Sequence, residues 1–389
     1  MHPEFVEFCF GRAIAVSKLS PICRTMILLI HYLKKILFIV MLLVSCSAFT
    51  KTMAQDPHFS QFYASPLLLN PALTGAFPGN LRVSGSYREQ WPSIMYPFKT
   101  GSFSIDANIL NDKIGEGDIL GIGLTGIFDN TNNGGLKSNT LSPSVSFHKI
   151  LFKDDNATYS LGGGFMASMN TKILDYSKFV FGAQLTPQGY DPNLSTGENK
   201  NGFTSVSFDY SAGLVYAAIS EDNSYYVGGS VYHVNKPKEN FNGTTHIVIP
   251  RYVVHAGGSF LSGSSNRLYL SSVYMNAESY SELIIGAVYG IGLLNTYSYD
   301  SEKNDITVLG GVWYRYKDAV IPYLGIEVGS LRGGLSYDVN VSQLNPASNL
   351  KGGFELSVNY TFATSEAAKT RQKTQCPGGK QNHLKWFGF

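Results

Sequence analysis

Cysteine and charge are both scarce in this chain. Only four of its 389 residues are cysteines (Cys9, Cys23, Cys46 and Cys376), and charged residues make up 15%, against about 25% in an ordinary soluble protein. The net charge of +2 says little about partners, but no basic cluster of the size that nucleic acid demands occurs, so no nucleic-acid partner is expected. After residue 55 no helical period of useful length occurs. Near-neutral mean hydropathy rules out a helical membrane protein with many spans. It does not exclude a barrel, because half of each barrel strand is polar.

Reactive constellations are also missing. The mature part holds His58, His148, His233, His246, His255 and His383, none in an H-E-x-x-H or other metal-spaced pair. Neither a G-x-S-x-G elbow nor a G-x-x-x-x-G-K-[ST] phosphate loop occurs. Glycine runs such as Gly162-Gly163-Gly164 and Gly228-Gly229 fall inside strand-like segments, where they allow bending or close strand approach. No catalytic, cofactor-binding or metal-ligating residue is assigned, and the expectation is a protein that is not an enzyme.

The N-terminus supplies a compartment. Lys34-Lys35 precede the apolar run Ile36 to Val44, and small and polar residues lead to Ala54-Gln55. That order is a charged region, a short apolar region and a cleavage site, so residues 1–54 read as a secretory signal peptide. The apolar region is too short to span a bilayer, which takes about 20 residues. Met26 is an alternative start that would make 1–25 an upstream extension. A competing reading takes Leu43-Val44-Ser45-Cys46 as a lipoprotein box with Cys46 lipidated. If cleavage follows Ala54, Cys376 is the lone surviving cysteine and cannot form an internal disulfide.

What the chain has is glycine and aromatics, with 40 Gly, 24 Tyr and 24 Phe. Residues 55–80 are rich in Pro, Asn and aromatics and show neither period. From Leu81 onwards, segments of about ten residues alternate in polarity between Gly/Asn/Asp/Ser-rich turns, the pattern of successive hairpins. In Phe354 to Phe362 one side carries Phe354, Leu356, Val358, Tyr360 and Phe362, and the other Glu355, Ser357, Asn359 and Thr361. Leu331 to Val341 and Gly101 to Ile109 divide in the same way. About fourteen such segments occur, and Asn170 to Thr204 is the longest break.

The expected fold is therefore all-β: a transmembrane antiparallel barrel of about 14 strands over 81–362. Residues 55–80 form a periplasmic or luminal segment, and 363–389 a flexible periplasmic tail. A soluble sandwich or propeller is the competing reading. Tyr87, Tyr232, Tyr316, Tyr360 and Phe362 lie where interfacial girdles would be. Because a charge facing lipid is costly, Arg88, Asp106, Asp209, Arg332, Asp338 and Glu355 should point inward. Their expected role is an internal ion-pair network, with lining a pore or holding a plug as the alternative.

Several segments in order resemble the PorP/SprF family of outer-membrane proteins. They begin with Gln55-Asp56-Pro57-His58-Phe59-Ser60-Gln61-Phe62-Tyr63 and Asn70-Pro71-Ala72-Leu73-Thr74-Gly75. Tyr87-Arg88-Glu89-Gln90-Trp91, Tyr225 to Pro237 and Trp313-Tyr314-Arg315 follow. Last come Ser336-Tyr337-Asp338-Val339-Asn340-Val341-Ser342 and Gly352-Gly353-Phe354-Glu355-Leu356-Ser357. The tail with Cys376-Pro377 resembles the family's Cys-Pro ending but continues to Phe389. The resemblance implies an integral barrel in the outer membrane of a Gram-negative, Bacteroidetes-like bacterium, with type IX secretion and gliding motility as its context. It implies export or surface anchoring of cargo such as gliding adhesins. The partners it implies are outer-membrane lipid, secreted cargo and periplasmic or outer-membrane secretion subunits, with the Cys376-Pro377 tail as a docking element. It brings no cofactor. The alternative function is a porin-like channel for small solutes.

Overall fold

The computed structural model describes residues 56–362, apart from 94–95, 110–116, 132–133, 155–156, 188, 192, 197–201, 221, 242–243, 264–265, 279, 294–305 and 344–347. The expectations for the signal peptide, Met26, Cys46 and the tail with Cys376 and Pro377 lie outside the described residues.

Residues 56–80 form three short helical turns, Phe62–Ala64, Pro66–Leu69 and Pro71–Leu73. The first strands are β1 (Leu81–Gln90), β2 (Phe98–Ile109), β3 (Ile119–Thr131), β4 (Leu136–Lys153) and β5 (Ala157–Leu174). A two-residue hairpin, β6 (Leu185–Thr186) and β7 (Gly189–Tyr190), precedes β8 (Phe203–Ser220) and β9 (Asn223–Tyr232). A second small hairpin, β10 (Lys238–Phe241) and β11 (Thr244–Ile247), precedes β12 (Arg251–Ser262), β13 (Asn266–Ala277) and β14 (Tyr280–Gly292). The chain then runs through β15 (Ile306–Arg315), β16 (Ala319–Val328), β17 (Leu331–Asn340) and β18 (Lys351–Phe362).

Fourteen of these strands close into one antiparallel barrel, each beside its neighbour in chain order once the two small hairpins are set aside. The seam pairs β1 with β18, from Leu81 opposite Phe362 to Gln90 opposite Gly353. Closure leaves no strand edge, so every ladder N–H and C=O can be satisfied without water. Because the strand number is even, Leu81 and Phe362 share one end of the barrel, here the terminal end. The two longest connections, 175–202 and 233–250, sit at the other, the loop end, together with 341–350.

Burial is inverted relative to a soluble protein. In β18 Phe354, Leu356, Val358, Tyr360 and Phe362 are exposed, while Glu355 and Ser357 are buried. The same holds around the wall, with Phe208, Leu214 and Leu324 more than 60% exposed and Arg88, Asp106, Asp209 and Asp338 at most 3% exposed. An outer surface of Leu, Val, Phe and Tyr suits hydrocarbon, whereas a soluble sandwich would bury it.

Two details differ from the sequence reading. Tyr232 is not on the outer girdle: it is 6% exposed and points into the lumen, where its hydroxyl donates to the Leu68 carbonyl at 2.8 Å. The misplacement arises because β9 carries aromatic and small residues on both faces, so alternation alone does not choose between them. The long break is also shorter than Asn170 to Thr204, because β5 and β8 stay paired up to Leu174 opposite Phe203.

Leu356 lies midway along β18, facing outward. Leu356→Arg should lower the unfolding free energy in lipid bilayers by about 2–4 kcal/mol, the cost of a cation near the midplane. Urea titration of protein in vesicles measures this; a change within error would mean that this face does not meet lipid.

Candidate functional site

Barrels of about eight strands can fill their interior with wall side chains, but wider ones leave space. Here the space is taken by residues 56–80. Ser60, Gln61, Leu67, Asn70, Ala72 and Thr74 are fully buried inside the ring. A segment with no regular period suits this position, because every few residues it meets a different strand.

The first contacts lie toward the loop end. The Glu355 carboxylate accepts two consecutive backbone N–H groups, from Ser60 at 2.7 Å and Gln61 at 2.7 Å. Ser60 Oγ donates to Asp338 at 2.9 Å and accepts from Arg315 Nη2 at 2.5 Å. Asp338 also receives Arg315 at 2.8 Å and Arg88 at 3.0 Å, and Arg88 Nη1 donates to the His58 carbonyl at 2.6 Å. His58 Nε2 lies 3.1 Å from Glu282, which Tyr280 also contacts through its hydroxyl at 2.5 Å. Two arginines and three carboxylates thus converge on three plug residues. Burying such charges is tolerable only with this density of partners.

Gln61 is satisfied on both sides of its amide. Its Nε2 donates to Ser336 Oγ and the Glu355 carbonyl, each at 3.0 Å, and Ser357 donates to its Oε1 at 2.6 Å. Next to it Phe62 and Tyr63 pack on Trp313, with ring centroids 5.4 and 5.1 Å away. Trp313, Ile284, Leu309 and Ile321, all fully buried, make this sector of the inner wall apolar.

The Asn-Pro turn is the second anchor. Asn70 Nδ2 donates to the carbonyls of Leu214 at 3.0 Å and Gly229 at 3.2 Å, while its Oδ1 accepts from Ala72 N at 2.9 Å and caps the turn. Pro71 fits the first position of that turn because it needs no N–H there. The wall is cut to this shape: a Cβ on Gly213 would collide with Asn70 Oδ1, and one on Gly164 with the Pro71-Ala72 backbone. Part of the strand glycine therefore makes room for the plug.

At the terminal end Arg82 forks onto Asp106, with contacts of 3.0 and 2.7 Å, and also donates to the Leu73 carbonyl at 3.1 Å. Gly75 N donates to Asp106 at 2.7 Å. The inward charges expected from alternation find partners, and four of them, Arg88, Asp106, Asp338 and Glu355, hold the plug directly. Arg332 instead pairs with Glu327 within the wall.

Of the family-motif residues, Asp56, His58, Ser60, Gln61, Asn70, Arg88, Asp338 and Glu355 come together at these anchors. Phe59 is buried beside them, Pro57 is partly buried, and Asn340 donates to Ser348 Oγ at 3.1 Å. Tyr87 and Tyr337 face outward, Gln90 ends β1, Trp91 turns away edge-on to Phe98, and Ser342 lies in the β17–β18 connection. Glu282, Arg251, Arg82 and the anchoring role of Arg315 were not singled out from sequence. Alternation would aim them inward, but only the three-dimensional pairing shows what they hold.

Asp56 is tied at the loop end. His233 Nε2 lies 2.8 Å from Asp56 Oδ2, and His233 Nδ1 lies 2.8 Å from Asp209 Oδ2. Arg251 approaches Asp56 at 3.5 Å and stacks over the Tyr232 ring. Burial alone would lower the His233 pKa, but the carboxylates of Asp209 and Asp56 outweigh it and raise the value to about 9.

The sequence matches the family described as type IX secretion system membrane protein PorP/SprF over residues 51–360. No curated protein matches the chain. Among solved structures it is similar to a Pseudomonas aeruginosa FadL homologue (12% identity, 77% of this chain and 94% of that one, TM-score 0.41). It is also similar to the Ralstonia pickettii toluene transporter TbuX (12%, 76% and 91%, 0.39) and the Pseudomonas putida toluene transporter TodX (11%, 80% and 95%, 0.37).

Arg315→Ala leaves Asp338 and Glu282 short of a counter-charge and should cost about 3–5 kcal/mol in lipid unfolding; a loss below 1 kcal/mol would deny the cluster its anchoring role. The His233 contribution has a defined sign. Its folded pKa is raised, so the stabilisation is complete below about 6.5 and lost as pH rises through about 9. Protease sensitivity of residues 56–60 should rise across that window in the parent protein and stay flat in His233→Ala.

Proposed function

The chain belongs to the PorP/SprF family of type IX secretion system membrane proteins, and from that premise we propose that its barrel is a secretion accessory that works by holding partners. It is an integral outer-membrane β-barrel of that system, which is a system of the Bacteroidetes. In the proposed role it binds exported cargo, or periplasmic and outer-membrane subunits of the machine, and helps to export or anchor that cargo at the surface. No reaction is assigned to it. The Ser60 hydroxyl accepts from Arg315 and donates to Asp338, an arrangement that fixes the oxygen in place.

One observation carries the reading: the lumen is occupied by residues 56–80, held by Glu355, Asp338 and Asp106 through hydrogen bonds of 2.7–2.9 Å. A wall so matched to its filling favours a closed scaffold over an open pore. A porin-like channel is the outcome that would replace it.

Purified full-length protein in planar bilayers should give no large, long-lived open channel, and pull-down from solubilised outer membrane should recover exported proteins or secretion subunits. A stable large conductance would sink the holding role. Normal export of every surface protein in a deletion strain would remove the secretion role while leaving the closed lumen intact.

A further inference from the structure

The direction in which the plug crosses the barrel carries an inference beyond the proposed role. At its C-terminal end the plug joins the wall at the terminal end: Asn80 N donates to the Phe362 carbonyl at 2.7 Å, and Asn108 N to the Asn80 carbonyl at 3.2 Å. Its other end is elsewhere. Asp56 meets His233, the residue after β9, and Arg251, the first residue of β12. Both sit at the mouth where the connection 233–250 begins and ends. His58 and Ser60 contact Glu282 and Arg315, near the start of β14 and at the end of β15, again at that mouth.

The two mouths differ in the way that fixes orientation. Outer-membrane barrels have short periplasmic turns and long outer loops. Here β8–β9, β12–β13 and β16–β17 turn tightly at the terminal end, whose longest connection is 293–305, while the two longest connections of the barrel, 175–202 and 233–250, leave from the other. We infer that the plug threads the lumen from end to end, so that Asp56 to His58 belong to the cell-surface mouth, where a clasp of His233 and Arg251, backed by Asp209, seats the plug's leading end.

The clasp belongs to a connection that is itself packed down. Glu239 on β10 pairs with Lys172 of β5 at 2.7 Å, and Asn240 N donates to Ser205 Oγ of β8 at 3.3 Å. The groups facing His233 are Asp56 and Asp209, with Arg251 and Lys172 as the neighbouring cations. Whatever engages 233–250 from outside the cell therefore acts directly on the seat of Asp56. A surface event is carried toward the lumen through the Asp56 carboxylate.

Two measurements on full-length protein test this. The first is labelling with a membrane-impermeant maleimide in intact cells, read above the uptake of the unsubstituted chain. Pro57→Cys should react as readily as Lys178→Cys in the 175–202 connection, while Asp222→Cys in the β8–β9 turn should react only after permeabilisation. If Pro57→Cys follows Asp222→Cys, or reacts under neither condition, the threading is wrong. The second is hydrogen exchange in detergent. His233→Ala should raise exchange of residues 56–60 about tenfold or more, with the barrel retaining its heat-modifiable migration. Asp56→Asn serves as a second variant if His233→Ala fails to insert. Unchanged exchange in a correctly inserted variant overturns the clasp.

Discussion

A ring of fourteen strands encloses more volume than its own inward side chains can occupy, and this excess sets the terms for the rest of the molecule. A water-filled lumen would need only polar lining. A filled one needs donors and acceptors that match a particular segment of chain, glycines where that segment comes close, and an apolar sector where its aromatic residues lie. All three are present: Glu355 and Asp338 for the Ser60-Gln61 backbone and hydroxyl, Gly164 and Gly213 for the Asn-Pro turn, and Trp313 for Phe62 and Tyr63.

The electrostatics follow from the same constraint. Lipid outside forces the charges of the mid-wall inward, and inside each charge must find a partner or shed its ionisation. Arg82 with Asp106, Arg332 with Glu327, and the Arg88–Asp338–Arg315 group meet that demand. Because Asp106 also accepts a plug N–H and Asp338 a plug hydroxyl, the plug is part of the solution to charge burial and not an addition to a finished barrel. In the proposed role of holding partners, the occupied lumen leaves the loop end as the part available to others.

Much of the wall was legible in the sequence, because strand alternation is local. Glu355 inward with Leu356 outward can be read from two adjacent letters, and the fourteen alternating segments each correspond to a barrel strand. Alternation failed at Tyr232, where β9 offers glycine, serine and tyrosine on one face and valine and tyrosine on the other, so polarity does not label the sides. The plug was legible as a segment without period, but its partners were not. Ser60 and Glu355 are 295 positions apart, and no local pattern states that a carboxylate in the last strand will receive the N–H groups of a residue before the first. Glu282 and Arg251 were overlooked for the same reason: each is one inward charge near a strand end until folding sets it beside His58 or Asp56.

The hydrogen bonds between Glu355 and the Ser60-Gln61 backbone also have a bearing on the order of assembly. β18 pairs with β1 to close the seam, and the inner face of that seam is lined by the earliest residues of the described chain. A ring that closed empty would leave Glu355, Asp338 and Arg315 facing bulk water and would then have to admit a bulky segment into niches cut for it. The chain's first and last described stretches are thus expected to meet in one late step of high contact order, in which sealing the wall and loading the interior are the same event.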